Sequence, residues 1–249
     1  MHRTLYYLII FFTLAGAWAH ANNGETLLHS AVFNGDREMV LNILESNQDI
    51  NTQNSNGQTA LHYAVHLGLN DIVKILLNAG ALVTIGDCEG NTALHYAARS
   101  GNIELIEILC EYVEIDTRNQ YEGTALHAAV IFRRATSVEK LLELHADLNI
   151  DDFQGLTPLN MAALAGYAQI VRILLQHGAL IDKADNDGDT PLHNAARENH
   201  TTTLLELLAY KPALVLKNNN GQTARDVALQ SGNSSAHALE LLEERENIL

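Results

Sequence analysis

Apolar and polar positions along the chain recur in blocks that predict pairs of short helices. In one such block Leu61 and Ala64 lie three residues apart and share a helical face. A second run, Ile72, Val73, Ile75, Leu76 and Leu77, has the spacing of a helix with one apolar stripe. Gly68 and Gly80 close the two helices, because a left-handed residue just past a helix end is easiest for glycine. From Val83 to Gly90 the chain is polar and turn-rich, which predicts an extended finger leading into the next block. Two helices this short cannot bury their own apolar faces. They must be covered by stacked neighbours, with stability close to a sum of block and interface contributions.

The block is repeated along almost the whole chain. Thr26, Thr59, Thr92, Thr124, Thr157, Thr190 and Thr223 follow one another at steps of 33, 33, 32, 33, 33 and 33 residues. Five residues after each threonine comes an alanine: Ala31, Ala64, Ala97, Ala129, Ala162, Ala195 and Ala228. Self-similarity at such a period signals a stacked-repeat architecture. The threonines occupy helix N-cap positions, where the hydroxyl accepts from a free backbone amide. Pro158 and Pro191 fit the first helical position, where no amide is needed.

Thr190-Pro191-Leu192-His193 and Thr157-Pro158-Leu159-Asn160 head two of the copies, and Thr59-Ala60-Leu61-His62, Thr92-Ala93-Leu94-His95 and Thr124-Ala125-Leu126-His127 lack only the proline. With this head and period the chain resembles the ankyrin-repeat family over residues 22–249. The resemblance implies an all-α solenoid of seven repeats, paired antiparallel helices joined by β-hairpin-like fingers, with the first and last repeats as caps. Arg225 and Asp226 replace Leu and His in the last repeat, and Glu240, Glu243, Glu244, Arg245 and Glu246 make its final helix polar.

The regularity is weakest between residues 110 and 134. The one-residue deletion falls between Cys110 and Thr124, Phe132-Arg133-Arg134 stands where a glycine is expected, and the glycine before the threonine has slipped to Gly123. The largest departure from a regular solenoid is expected there. Asn199 replaces a glycine more gently, since asparagine tolerates the left-handed region.

Residues 1–21 read differently. A charged start, Met1-His2-Arg3, precedes the apolar Leu5 to Leu14 and two small-x-small sites, Ala17-Trp18-Ala19 and Ala19-His20-Ala21. This is the layout of a secretory signal peptide cleaved after Ala19 or Ala21, with an uncleaved N-terminal anchor as the alternative, and its apolar core is shorter than the roughly 20 residues a membrane span needs. The expected mature protein is exported and monomeric: periplasmic in a Gram-negative source, otherwise secreted.

With 30 acidic and 15 basic residues the net charge is −15, and no basic stripe interrupts it. Nucleic acid and anionic membrane are therefore poor partners. No glycine-rich phosphate loop or nucleophile elbow is present, so the chain is not read as an enzyme. His29, His62, His95, His127 and His193 occur once per repeat. One metal needs its ligands about 2 Å away, which equivalent residues of stacked repeats cannot provide. The resemblance instead implies a structural histidine bonded near the threonine and the adjoining finger. No metal or cofactor is expected. Cys88 on a finger and Cys110 in a second helix are expected to stay free thiols, Cys110 buried and Cys88 partly exposed. Asn199-His200-Thr201 and Asn233-Ser234-Ser235 match the glycosylation pattern.

What remains is binding. In the family, fingers and first helices line a concave groove that holds another protein. At those positions repeats three and six are mostly polar, whereas Tyr121, Ile131, Phe132, Phe153, Leu156 and Leu164 make the middle apolar, and Phe33, His66 and Leu67 extend it into the first two repeats. An apolar cluster with a polar rim marks an interaction site. Ile131 and Phe132 have a second reading, turned inward to fill the space left by the missing glycine. An exported scaffold, an effector engaging a host protein, and an inhibitor or immunity protein with a basic target all fit this surface.

Overall fold

A computed structural model describes residues 24–46 and 48–230. Asn47 and the segments 1–23 and 231–249 lie outside the described residues, and with them the expected signal peptide, the expected polar last helix and the Asn233-Ser234-Ser235 motif. The first helix of each repeat is Leu27–Phe33 (α1), Ala60–His66 (α3), Ala93–Ser100 (α5), Ala125–Ile131 (α7), Pro158–Leu164 (α9), Pro191–Arg197 (α11) and Ala224–Gln230 (α13). The second helices are Arg37–Leu44 (α2), Asn70–Asn78 (α4), Ile103–Cys110 (α6), Ala135–Glu143 (α8), Ala168–Gln176 (α10) and Thr201–Ala209 (α12). First helices pack on first helices in one layer, and second helices form the layer behind it.

The alanine column lets the first layer close. Ala64, Ala97, Ala129, Ala162 and Ala195 have no accessible surface. Ile72, Val73, Leu76 and Leu77 are buried behind them, with Ile75 half-buried at the edge of the stripe. One continuous core runs the length of the described stack.

Each repeat is tied by the same hydrogen bonds. The backbone amide of Thr92 donates to His95 Nδ1 at 3.2 Å, the Thr92 hydroxyl lies 3.0 Å from that nitrogen, and His95 Nε2 reaches the Gly123 carbonyl at 3.1 Å. The tautomer follows: Nδ1 accepts, Nε2–H donates. His29, His62, His127 and His193 reach Gln58, Asn91, Leu156 and Gln222 in the same way. Asn160 substitutes, its amide donating to the Asp189 carbonyl at 3.3 Å. In the last described helix Asp226 takes the cap, accepting from the Thr223 amide and hydroxyl at 3.0 and 2.9 Å. These bonds hold its carboxyl below the usual carboxylate range. The fingers are hairpin-like turns, closed by bonds such as Asp87 N–H to Asn91 O at 3.0 Å. They are linked to one another by Cys88 N–H to Asn56 O, Gln120 N–H to Glu89 O and Phe153 N–H to Tyr121 O.

The irregular middle keeps this frame. Arg133 takes at φ +54° the left-handed position that Gly101 takes one repeat earlier and Gly68 two repeats earlier, and Glu122 takes +58° where Gly57 and Gly90 stand. The deletion is absorbed after Cys110: Glu111–Val113 spans what Asn78–Ala81 spans in repeat two. The helix-closing bond of Ala81 N–H to Leu76 O recurs at Ala146 and Ala179, while repeat three ends on Tyr112 N–H to Leu109 O. Asn199 sits at φ +59°, as its side chain allows.

Candidate protein-binding groove

Repeats three to five form one pocket on the face of fingers and first helices. It encloses about 90 Å³ and its walls include His95, Arg99, Tyr121, Ile131, Phe132 and Phe153. Finger four supplies Tyr121, two residues after the half-buried Asn119 that closes it, and finger five supplies Phe153, next to the buried Asp152. Asn119 Oδ1 accepts from the Tyr121 amide at 3.0 Å. The two rings stand 5.9 Å apart at 48°. Helix α7 supplies Ile131 and its C-cap residue Phe132. The Arg99 guanidinium lies 4.3 Å over the Phe132 ring, a cation–π contact that holds both at the rim. Burial pushes the Arg99 pKa down from its ordinary value and pushes the Glu89 carboxyl up.

Four of the nine residues expected to bind therefore come together: Tyr121, Ile131, Phe132 and Phe153. Phe153 is 42% exposed, and the other three are half-buried. Ile131 also packs on the core, so it partly fills space inward while still lining the pocket. Phe33 and Leu67 are exposed, and His66 lies edge-on to Tyr96 with centroids 6.2 Å apart; these three lie outside the pocket lining.

Three expectations are corrected. Leu156 has no exposed surface. Its amide and carbonyl are bonded to Asp152 and its carbonyl also accepts from His127, so the residue is clamped between finger and helix. Leu164 is only 6% exposed. His200 of the next repeat donates to its carbonyl at 3.1 Å and lies over the end of α9. Cys110 is half-buried rather than buried, with burial pushing its thiol up to about 11, and Cys88 is exposed; both are free.

Ala128 was not singled out by sequence, and it is the residue that leaves the space. It occupies the position four after the threonine where repeats two and three carry Tyr63 and Tyr96. Lining up that column is the signal that finds it.

The five repeated histidines do not form a metal site: each is engaged at both ring nitrogens, as above. Among the described residues no group of three His, Cys, Asp or Glu could hold a metal ion, and no helix is long and apolar enough to cross a membrane.

The family model for ankyrin repeats in three copies matches residues 3–87, 28–119, 82–152, 126–216 and 179–248. The ankyrin repeat domain of Bcl-3, described as a unique member of the IkappaB protein family, is similar at 29% identity and a TM-score of 0.78. The match covers 89% of this chain and 100% of that one. The human ASB11 ankyrin repeat domain is similar at 26% identity and a TM-score of 0.74, over 89% of this chain and 98% of that one. No curated protein matches the sequence significantly.

Proposed function

Because the chain belongs to the ankyrin-repeat family, a family of protein-interaction scaffolds, we propose that it binds another protein through its groove, anchored at repeats three to five. The observation that carries this reading is the convergence of Tyr121, Ile131, Phe132 and Phe153 on one pocket of about 90 Å³. Small-molecule sites run to roughly 300 Å³ and more; this one has room for a single side chain. Aromatic anchors seated in such pockets dominate interface energetics. The net charge of −15 suits a basic partner and favours an inhibitor-like role as the second reading.

The test is Tyr121→Ala and Phe153→Ala in the tagged mature protein. Partner capture is expected to fall about tenfold or more, as for hot-spot residues, with the melting temperature moving by only a few degrees. Unchanged capture places the groove elsewhere. A large fall in melting with capture intact makes these residues core.

Export belongs to the same proposal and rests on residues 1–21. N-terminal sequencing of exported protein should begin at His20 or Asn22. Mature material that retains Met1 overturns it.

A further inference from the structure

Tyrosines elsewhere in the stack indicate what fills the pocket. In repeat three the Tyr96 ring is 5% exposed and stands edge-on to His62 at 5.3 Å and to His66 at 6.2 Å. Its hydroxyl donates to Asp87 Oδ2 at 2.7 Å and accepts from Gln58 Nε2 at 2.8 Å. Tyr63 does the same in repeat two: its ring stands 5.3 Å from His29, and its hydroxyl donates to Glu25 and accepts from Asn54.

One repeat further on, the residues in register with His62, His66, Asp87 and Gln58 are His95, Arg99, Asn119 and Asn91. All four line the pocket, and so does Ala128, half-buried in the register of Tyr96. Where the Tyr96 hydroxyl joins Gln58 to Asp87, the Asn119 side-chain amide donates directly to Asn91 Oδ1 at 2.8 Å. The pocket is thus the site of a missing tyrosine, with its histidine wall and polar end in place and its mouth framed by Tyr121 and Phe153.

We propose that this pocket is a seat for a tyrosine side chain of the bound partner, which supplies in trans the ring that repeats two and three supply from their own helices. The inference rests on the groove-binding reading above. A phenol suits the seat better than a phenyl or an aliphatic group. Its ring meets the imidazole of His95, and its hydroxyl has both a donor and an acceptor within the Asn91–Asn119 pair.

The experiment titrates isotope-labelled mature protein with p-cresol and, separately, with toluene, following amide and side-chain signals by NMR. p-Cresol is expected to move the signals of Asn91, Asn119 and Ala128 and to bind about fivefold more tightly than toluene, the effect of one net hydrogen bond. Ala128→Tyr is expected to raise the melting temperature and abolish the p-cresol response by filling the seat from within. Pocket signals unmoved at the solubility limit of p-cresol, toluene binding as well as p-cresol, or an Ala128→Tyr protein that still binds p-cresol each overturn the proposal. If the p-cresol test fails while capture remains sensitive to Phe153→Ala, only the tyrosine seat falls. If p-cresol binds as expected and capture ignores Phe153→Ala, the groove reading falls and the partner's tyrosine falls with it.

Discussion

Repeats three and four share one frame and differ in what fills it. Both are headed by the same threonine–histidine cap, Thr92 with His95 and Thr124 with His127, and each histidine is bonded to the next finger. Repeat three closes its first helix with Gly101 at φ +86° and fills its finger–helix space with Tyr96. Repeat four closes the same turn with Arg133 at +54° and leaves the space beside Ala128 open. It also places Glu122 and His145 at positive φ, so three of the five non-glycine residues with positive φ among the described residues belong to this repeat. Each costs on the order of 1–2 kcal/mol for an L side chain. The caps and finger-to-finger bonds hold the path of the chain while side chains facing the groove change freely. Repeat four is regular in path and expensive in conformation, and its groove-facing residues have diverged from those of its neighbours.

The largest effect is expected when repeat three is made to resemble repeat four. Tyr96→Ala removes a buried ring and leaves Asp87 and Gln58 without the hydroxyl that joins them. Truncation of a large buried aromatic costs about 3–5 kcal/mol, so a clear fall in melting temperature is expected by circular dichroism. The effect should exceed that of Phe153→Ala, whose ring is exposed. A loss below about 1 kcal/mol would mean that the ring adds little to the stack and that an alanine in this column is unremarkable in either repeat.

The frame was legible in the sequence because its signals recur seven times. The threonine column, the alanine column and the glycines each repeat a local physical demand: a cap, a close approach, a left-handed turn. The groove was legible in part. Tyr121, Phe153 and Phe132 follow from their offsets to the threonine. Leu156 and Leu164 sit at similar offsets and are buried, because the bonds that cover them come from His127 in the preceding repeat and His200 in the following one. An offset within one repeat says nothing about what a neighbour places over it. Ala128 was hidden for a related reason: an empty space leaves no residue in the sequence, and only the tyrosines in the same column of other repeats reveal it. The deletion after Cys110 was visible, but its mildness was not, since three residues can bridge the gap only because the next threonine cap fixes where the finger must begin.

A smaller effect separates repeat four from repeat five through the cap itself. Burial holds His95 and His127 at about 4, far below the ordinary histidine value of 6.5, and lowers His29 and His62 as well. A histidine whose folded pKa lies below its unfolded value stabilises the fold fully above pH 6.5. That contribution is lost as pH falls from 6.5 toward 4, because the unfolded chain takes up the proton first. For His127 the whole swing is on the order of 3 kcal/mol. The Glu89 carboxyl, raised chiefly by burial, works in the opposite direction as pH falls and blunts the loss at the acid end. Repeat five makes the same bonds with Asn160, a side chain that does not titrate. His127→Asn should therefore cost at most about 1 kcal/mol at pH 7.5, where one neutral donor–acceptor side chain replaces another. The same variant should lose less stability than the wild type between pH 7.5 and pH 4.5, and urea unfolding at the two pH values measures both differences. His127→Ala is the control: it leaves the Leu156 carbonyl and the Thr124 amide without this partner at every pH, costing about 1–3 kcal/mol throughout. If His127→Asn and wild type lose stability in parallel on acidification, the imidazole is not held neutral, and the acid sensitivity of the stack lies in its carboxylates.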